Sequence, residues 1–337
     1  MKINRTELQN ALEKVRPGLA NKEVIEQSTS FAFMDGRVVT YNDEISISHP
    51  VTGLDIKGAV KAQELYQFLG KLSKDEIHVK AEENQIRIKA GKATAGLTLQ
   101  QEIRLPIEEV GEIEDWYQLP DKFIEALQFC APSCSKNMAQ PVLTCINACG
   151  DGRIESSDGY RVTRYDLSES LPINTSLIPA RSVNELVKYD IQQVSEGQGW
   201  VHFKTGDGTV FSCRVFEDNY PDIENILTFE GTEVGLPDGM ADALKRGQIF
   251  AKGEFGLDAM IDVSIEAKKM TISAQQDYGW FQEEVAVEHD SDPLHFRTNP
   301  VFLCEMLEKT NHCIVGKDRI KFKGNEWIHV IALTTED

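Results

Sequence analysis

Nowhere in these 337 residues do about 18 apolar residues run together, so no membrane-crossing helix and no membrane partner are expected. Residues 1–7 lack the apolar core of a secretory signal, and none is expected there. Basic residues are scarce: 35 Lys and Arg face 54 Asp and Glu, a net charge of −19. That balance excludes non-specific adhesion to nucleic acid or to anionic lipid through the whole surface. With 24 Gly and 12 Pro the chain has too little of either for a collagen-like or long disordered tract. The seven histidines are dispersed, with no HExxH spacing, and no Walker A, GxSxG or GxGxxG sequence occurs. An enzyme is therefore not expected, and no cofactor is implied.

Cysteines are few and odd in number, seven in all, which suits reduced thiols and a cytoplasmic protein better than a disulfide framework. Cys130 with Cys134, and Cys145 with Cys149, raise the question of zinc. Both pairs would have to converge, and Cys145 lies in an apparent strand, where residues four apart stand about 13 Å from each other. Buried small thiols are the favoured reading, and no metal is expected.

What the chain does have is internal repetition, on a composition 41% hydrophobic and 26% charged that suits two or three globular domains. Leu119–Leu127 (LPDKFIEAL) returns 117 residues later as Leu236–Leu244 (LPDGMADAL), with five of nine positions identical. A similar helical pattern surrounds Asn10-Ala11-Leu12. A second helical pattern follows each first one, at 60–69, 178–187 and 301–307. Between them lie stretches of period two, 76–80, 85–89, 200–204 and 319–323, which read as strands with one buried face. Pairs such as Glu83-Asn84 and Asp207-Gly208 read as hairpin turns. The fold class is α+β: three similar domains of helices packed on antiparallel sheet, at 1–113, 114–235 and 236–337.

Two motifs fall in the middle third, Ser157-Asp158-Gly159-Tyr160-Arg161-Val162 and Tyr220-Pro221-Asp222 within Asn219–Leu227. Each alone is a turn flanked by apolar strands. With Gln140–Thr144, Ile178–Arg181 and the threefold repeat, they resemble the bacterial sliding clamp, the beta subunit family of DNA polymerase III, along essentially the whole chain.

The resemblance implies a non-enzymatic homodimeric ring around double-stranded DNA, with helices lining the hole. It implies contact with DNA that is blind to sequence, and a pocket between the second and third domains for peptides of a DNA polymerase and clamp loader. By the same resemblance Leu143, Ser157, Gly159, Tyr160, Arg161, Val162, Pro221, Asn225, Ile226, Asn299, Phe302, His329 and Ile331 belong to that pocket. Leu143, Val162, Ile226 and Ile331 are expected on its floor. Gly159 is expected to permit close backbone approach, and Arg161 to offer its guanidinium from the rim. Lys14, Arg16, Lys22, Lys71, Lys74, Lys122, Lys136, Lys188, Lys245, Arg246 and Lys252 are expected to face DNA. Thr94, Ala95, Leu97 and Leu99 are expected on an edge strand at the dimer interface, with Ile249 and Phe250 of the third domain beside it.

Charge along the chain fits this picture. The six helical windows 7–22, 61–74, 122–136, 181–190, 238–252 and 301–312 sum to +4, against −19 for the whole. Two departures stand out. Asn225 and His329 replace what are often a basic and an apolar residue, and the chain closes Ala332-Leu333-Thr334-Thr335-Glu336-Asp337 where the family commonly has an apolar Met-Pro-Met type segment. The alternative reading is a clamp-like interaction protein that binds replication partners without encircling DNA.

Overall fold

A computed structural model describes residues 1–111, 113, 115–251, 259–290 and 292–334. Its contacts divide the chain into two compact units. The first comprises Met1–Ala131, Cys145–Gly152 and Ser168–Asp218, and the second Pro132–Thr144, Arg153–Leu167 and Asn219–Asp337.

Seven α-helices occur among the described residues: α1 (Arg5–Val15), α2 (Ala62–Lys71), α3 (Phe123–Cys130), α4 (Ala180–Leu186), α5 (Glu224–Leu227), α6 (Met240–Gly247) and α7 (Pro300–Leu307). None is long and apolar enough to cross a membrane. Each sequence third holds the two helices its periodicity announces. In α1 the buried residues Leu8, Ala11, Leu12 and Val15, and in α6 Met240, Ala243, Leu244 and Gly247, follow i, i+3, i+4, i+7. Asn4 opens α1 by accepting the Thr6 and Glu7 amides at 2.9 and 3.1 Å. Asn299 does the same for α7 through the Val301 amide at 2.9 Å, with Pro300 at the first helical position.

In the first unit, eight antiparallel strands form one sheet. Their order is 58–61, 30–34, 37–41, 45–50, 210–214, 200–205, 191–197 and 117–118. A second sheet orders Lys2–Asn4, Glu76–Glu82, Gln85–Ala90 and Ala93–Thr98, so Ala93–Thr98 is an edge strand. Alternation is clean here: Ile77 and Val79, then Ile86 and Ile88, are buried between exposed neighbours. Trp200 and Tyr41 pack 6.0 Å apart in the core.

In the second unit six strands run consecutively, in the order 153–157, 161–166, 327–332, 319–323, 312–315 and 232–235. A four-stranded sheet orders Gly279–Ala286, Lys269–Gln276, Ile261–Glu266 and Leu294–Thr298, leaving Gly279–Ala286 on an edge. A Cβ on Gly247 would stand 2.6 Å from Ile261 Cδ1 and 3.1 Å from Phe281, so α6 approaches this sheet closely only with glycine there.

Cys130, Cys134, Cys145, Cys149, Cys213 and Cys313 are buried, and Cys304 is half-buried. Burial pushes the Cys313 thiol up to about 12, which keeps it neutral and unreactive.

Candidate partner site and DNA face

All thirteen residues assigned to the peptide pocket lie in the second unit. Their frame is the hairpin of Arg153–Ser157 and Arg161–Asp166, with Trp327–Ala332 paired to its second strand. The turn is built by side chains. Asp158 Oδ1 accepts the amides of Tyr160 and Arg161, each at 3.0 Å. Ser157 Oγ accepts the Gly159 amide at 3.1 Å and donates to the Arg161 carbonyl at 2.9 Å. Gly159 has φ +89°, a conformation that favours glycine. Nothing stands within 4 Å of where its Cβ would be, so the requirement is conformational.

Arg161 does not rim a pocket. It is only 7% exposed, and every edge of its guanidinium is engaged. Nε donates to Asp158 Oδ2 at 3.0 Å, Nη1 donates to Glu305, Nη2 donates to the Pro132 carbonyl, and the group lies 4.0 Å over the Phe302 ring. A planar five-donor group suits such a junction, where an exposed rim would have left it solvated.

Strand alternation then separates residues that the sequence placed together. Arg161 pairs across the strands with Ile331, Thr163 with His329, and Val162 with Val330. Successive side chains point to opposite faces. One face therefore carries Arg161, Thr163, His329 and Ile331, and from it Arg161 reaches Phe302 of α7. His329 and Ile331 are both 1% exposed and belong to the core, not to a floor open to solvent. His329 Nδ1 lies 2.7 Å from Thr163 Oγ1, which lies 2.6 Å from Ser133 Oγ. Burial, helped by the nearby Arg161 charge, pushes the His329 imidazole down to about 3. Asn299 is likewise buried, spent on capping α7.

The opposite face carries Val162 and Val330 under Ile223 and Leu227, with Tyr220, Phe229 and Ile328 packed around them. Val330, which the sequence reading omitted, is thus the neighbour of Val162; the signal available was that one strand position from His329 reverses the face. Here the apolar floor is filled by the protein's own 220–229 segment. Arg319 and Lys321, read from sequence only as strand residues, tie that segment down. Arg319 Nη1 donates to the Asn225 carbonyl at 3.2 Å, Lys321 Nζ donates to the Leu227 carbonyl at 3.3 Å, and both cations lie over Phe229.

What remains open is a strip of the surface. Tyr160 is 45% and Ile226 37% exposed; Pro221 and Asn225 are exposed and Leu143 half-buried. Contacts run from Tyr160, whose carbonyl accepts the Ala332 amide at 2.8 Å, through Ala332 and its strand partner Arg319, to the Ile226 carbonyl.

Four of the eleven cations expected to face DNA are held by carboxylates of the same unit. Lys14 pairs with Asp207, Arg16 with Glu13 at 2.9 Å, Lys188 with Glu185 at 2.8 Å and Arg246 with Glu283 at 2.6 Å. Lys22, Lys71, Lys74, Lys136 and Lys245 are exposed and form no ion pair among the described residues. Lys122 is exposed just ahead of α3, with φ +66°. Lys252 lies outside the described residues.

Of the interface residues, Thr94, Ala95 and Leu97 lie on the edge strand Ala93–Thr98, which carries no charged side chain. Leu99 follows that strand and is buried, its amide donating to the Asn84 carbonyl at 3.0 Å, so it belongs to the core of its own unit. Ile249 is 60% exposed, and Phe250 stacks on Phe281 with centroids 6.1 Å apart.

No protein-family model matches the sequence, and no curated protein matches it. Solved structures do. The chain is similar to the DNA polymerase sliding clamp of Pseudomonas aeruginosa, with TM-score 0.87 at 17% identity over 100% of this chain and 99% of that one. The Bacillus subtilis clamp gives 0.84 at 17% identity, and the DNA polymerase III beta subunit of Thermotoga maritima 0.82 at 16%, with the same coverage. Over its whole length, the chain has the fold of the bacterial DNA polymerase III beta sliding clamp.

Proposed function

We propose that this protein is a DNA sliding clamp, a non-enzymatic processivity factor. The observation that carries the reading is the full-length likeness at TM-score 0.87, which leaves no part of the chain outside the clamp fold. In this reading residues 1–113, 114–235 and 236–337 are three clamp domains, and two chains close head to tail around duplex DNA in the cytoplasm. The uncharged edge strand Ala93–Thr98 and the edge strand Gly279–Ala286, with Ile249 and Phe250 nearby, are candidates for the interface, since an open sheet edge needs a partner or protection. Polymerase and clamp-loader peptides would dock on the strip of Tyr160, Pro221 and Ile226, with Leu143 at its side. Apolar anchors supply most of the energy in such docking.

A second reading, a clamp-like interaction protein that does not encircle DNA, is favoured by the carboxylates bound to Lys14, Arg16, Lys188 and Arg246 and by the charge of −19. Solution mass and retention on circular DNA separate the two. A clamp has a mass of about 76 kDa, twice the 37.8 kDa chain, stays on closed circles after loading and runs off when they are cut. A monomer that never resists high-salt washing on closed circles would sink the ring.

A further inference from the structure

The first unit contains a broad basin of about 1270 Å³, bordered by α1, the residues just after it, α4 and the Thr205–Thr209 turn. Four cations line it, Lys14, Arg16, Arg181 and Lys188, and each is bound to a carboxylate that also lines it: Asp207, Glu13, Glu44 and Glu185 respectively. Asp190 adds a fifth carboxylate, so the basin carries −1 rather than +4. Asp207 and Glu44 come from strand-turn segments remote in sequence from the helices they serve. Arg181 is a cation that the assignment of DNA-facing residues left out.

We propose that these carboxylates are latches that set the clamp's affinity for the phosphodiester backbone: as duplex DNA enters, each cation exchanges its carboxylate for a phosphate, and the carboxylate takes the cation back as the phosphate passes. This rests on the clamp reading. All four pairs are partly exposed, and such pairs open at little cost. A cation moving from one anion to another releases less counterion than one moving from water, so binding is weak and its salt dependence shallow. The ring is then held on DNA by topology and slides with little friction. The Lys14 latch is anchored independently, because Asp207 Oδ1 also accepts the Thr209 amide and hydroxyl at 3.2 and 2.7 Å. Burial alone would raise the Asp207 carboxyl, but these bonds with Lys14 and Thr205 hold it well below the usual carboxylate range.

The test is binding of a random-sequence fluorescent duplex across salt, using the full chain with Glu13→Gln, Glu44→Gln and Glu185→Gln combined. Asp207 stays, because it also holds the Thr205–Thr209 turn. A control carries Glu83→Gln, Glu108→Gln and Glu169→Gln, three exposed carboxylates outside the basin. The basin triple is expected to bind about tenfold tighter than the control at low salt, with a log–log salt slope steeper by about 2 to 3, near 0.9 per phosphate gained. Equal binding and equal slopes in the two triples overturn the latches. Retention of wild-type protein on closed circular DNA is scored separately. Retention with equal slopes overturns the latches alone, whereas tighter binding without retention supports them and overturns the ring.

Discussion

The guanidinium of Arg161 lies 4.0 Å over the ring of Phe302, which joins the Asp-Gly turn to α7. The same group bonds Asp158, Glu305 of α7 and the Pro132 carbonyl, so one side chain ties together three parts of the second unit. Its role in any partner binding is indirect: it sets the shape of the turn on which Tyr160 is displayed.

Arg161→Ala is expected to lower the unfolding free energy by about 3 kcal/mol, because it leaves the buried Asp158 carboxylate without its cation. Arg161→Lys should recover little, since an ammonium cannot fork across three acceptors and a ring at once. Urea unfolding followed by tryptophan fluorescence checks both. A loss below about 1 kcal/mol for either variant would contradict the junction.

Stability should fall as pH drops from 7 to 5. His329 and His202 are buried and neutral when folded, pushed down to about 3 and about 4 mainly by burial, while the unfolded imidazoles titrate near 6.5. The unfolded state therefore gains protons first. The stability is fully present above pH 6.5 and is lost towards the folded values, at about 1.4 kcal/mol per pH unit per histidine. Paired carboxylates add their own loss only below about pH 4.5. Urea midpoints at pH 7 and 5 test this, and His329→Asn should remove about half of the difference.

Two isoleucines assigned to one pocket should behave differently. Ile331→Asp places a charge in a core position 1% exposed and is expected to unfold the second unit, a cost of about 3 to 5 kcal/mol. Ile226→Asp, at a position 37% exposed, should cost under about 1 kcal/mol and still abolish stimulation of a polymerase. Tyr160→Ala should weaken stimulation about tenfold without shifting the melting temperature. Full stimulation by folded Ile226→Asp would remove the strip from the partner site.

The proposed dimer interface is probed most cleanly at Ile249, which is 60% exposed, whereas Phe250 also stacks on Phe281. Leu97→Glu with Ile249→Glu is expected to give folded monomers near 38 kDa by sedimentation equilibrium. A dimer surviving both changes would place the interface elsewhere.

Much of the architecture is local and was legible. The helices follow from spacings such as Leu8-Ala11-Leu12-Val15, and the strands at 76–80, 85–89 and 319–323 from alternation, because periods of 3.6 and 2 are properties of a backbone segment alone. The turn at Ser157–Arg161 was legible for the same reason: Asp158 and Gly159 act within four residues. The segment 200–204 is a strand too, but Trp200, Val201, His202 and Phe203 are all buried, so it is covered on both faces and not on one.

The proposed partner strip and the proposed DNA face were legible only as inventories. His329, Val330 and Ile331 are adjacent in sequence, yet only the pairing of Val162 with Val330 puts one of them on the face beneath Ile223 and leaves the other two on the opposite face with Arg161 and Thr163. Counting charge by helical window gave +4, but Glu44, Asp207 and Glu283 reach those helices from strands and turns outside the windows. Periodicity and turn chemistry depend on neighbours along the chain, so the sequence determined elements and repeats by itself. Strand register and the origin of each counter-charge depend on segments tens to hundreds of residues apart meeting in space. Only the tertiary structure decided them, and with them which side chains are left for a partner.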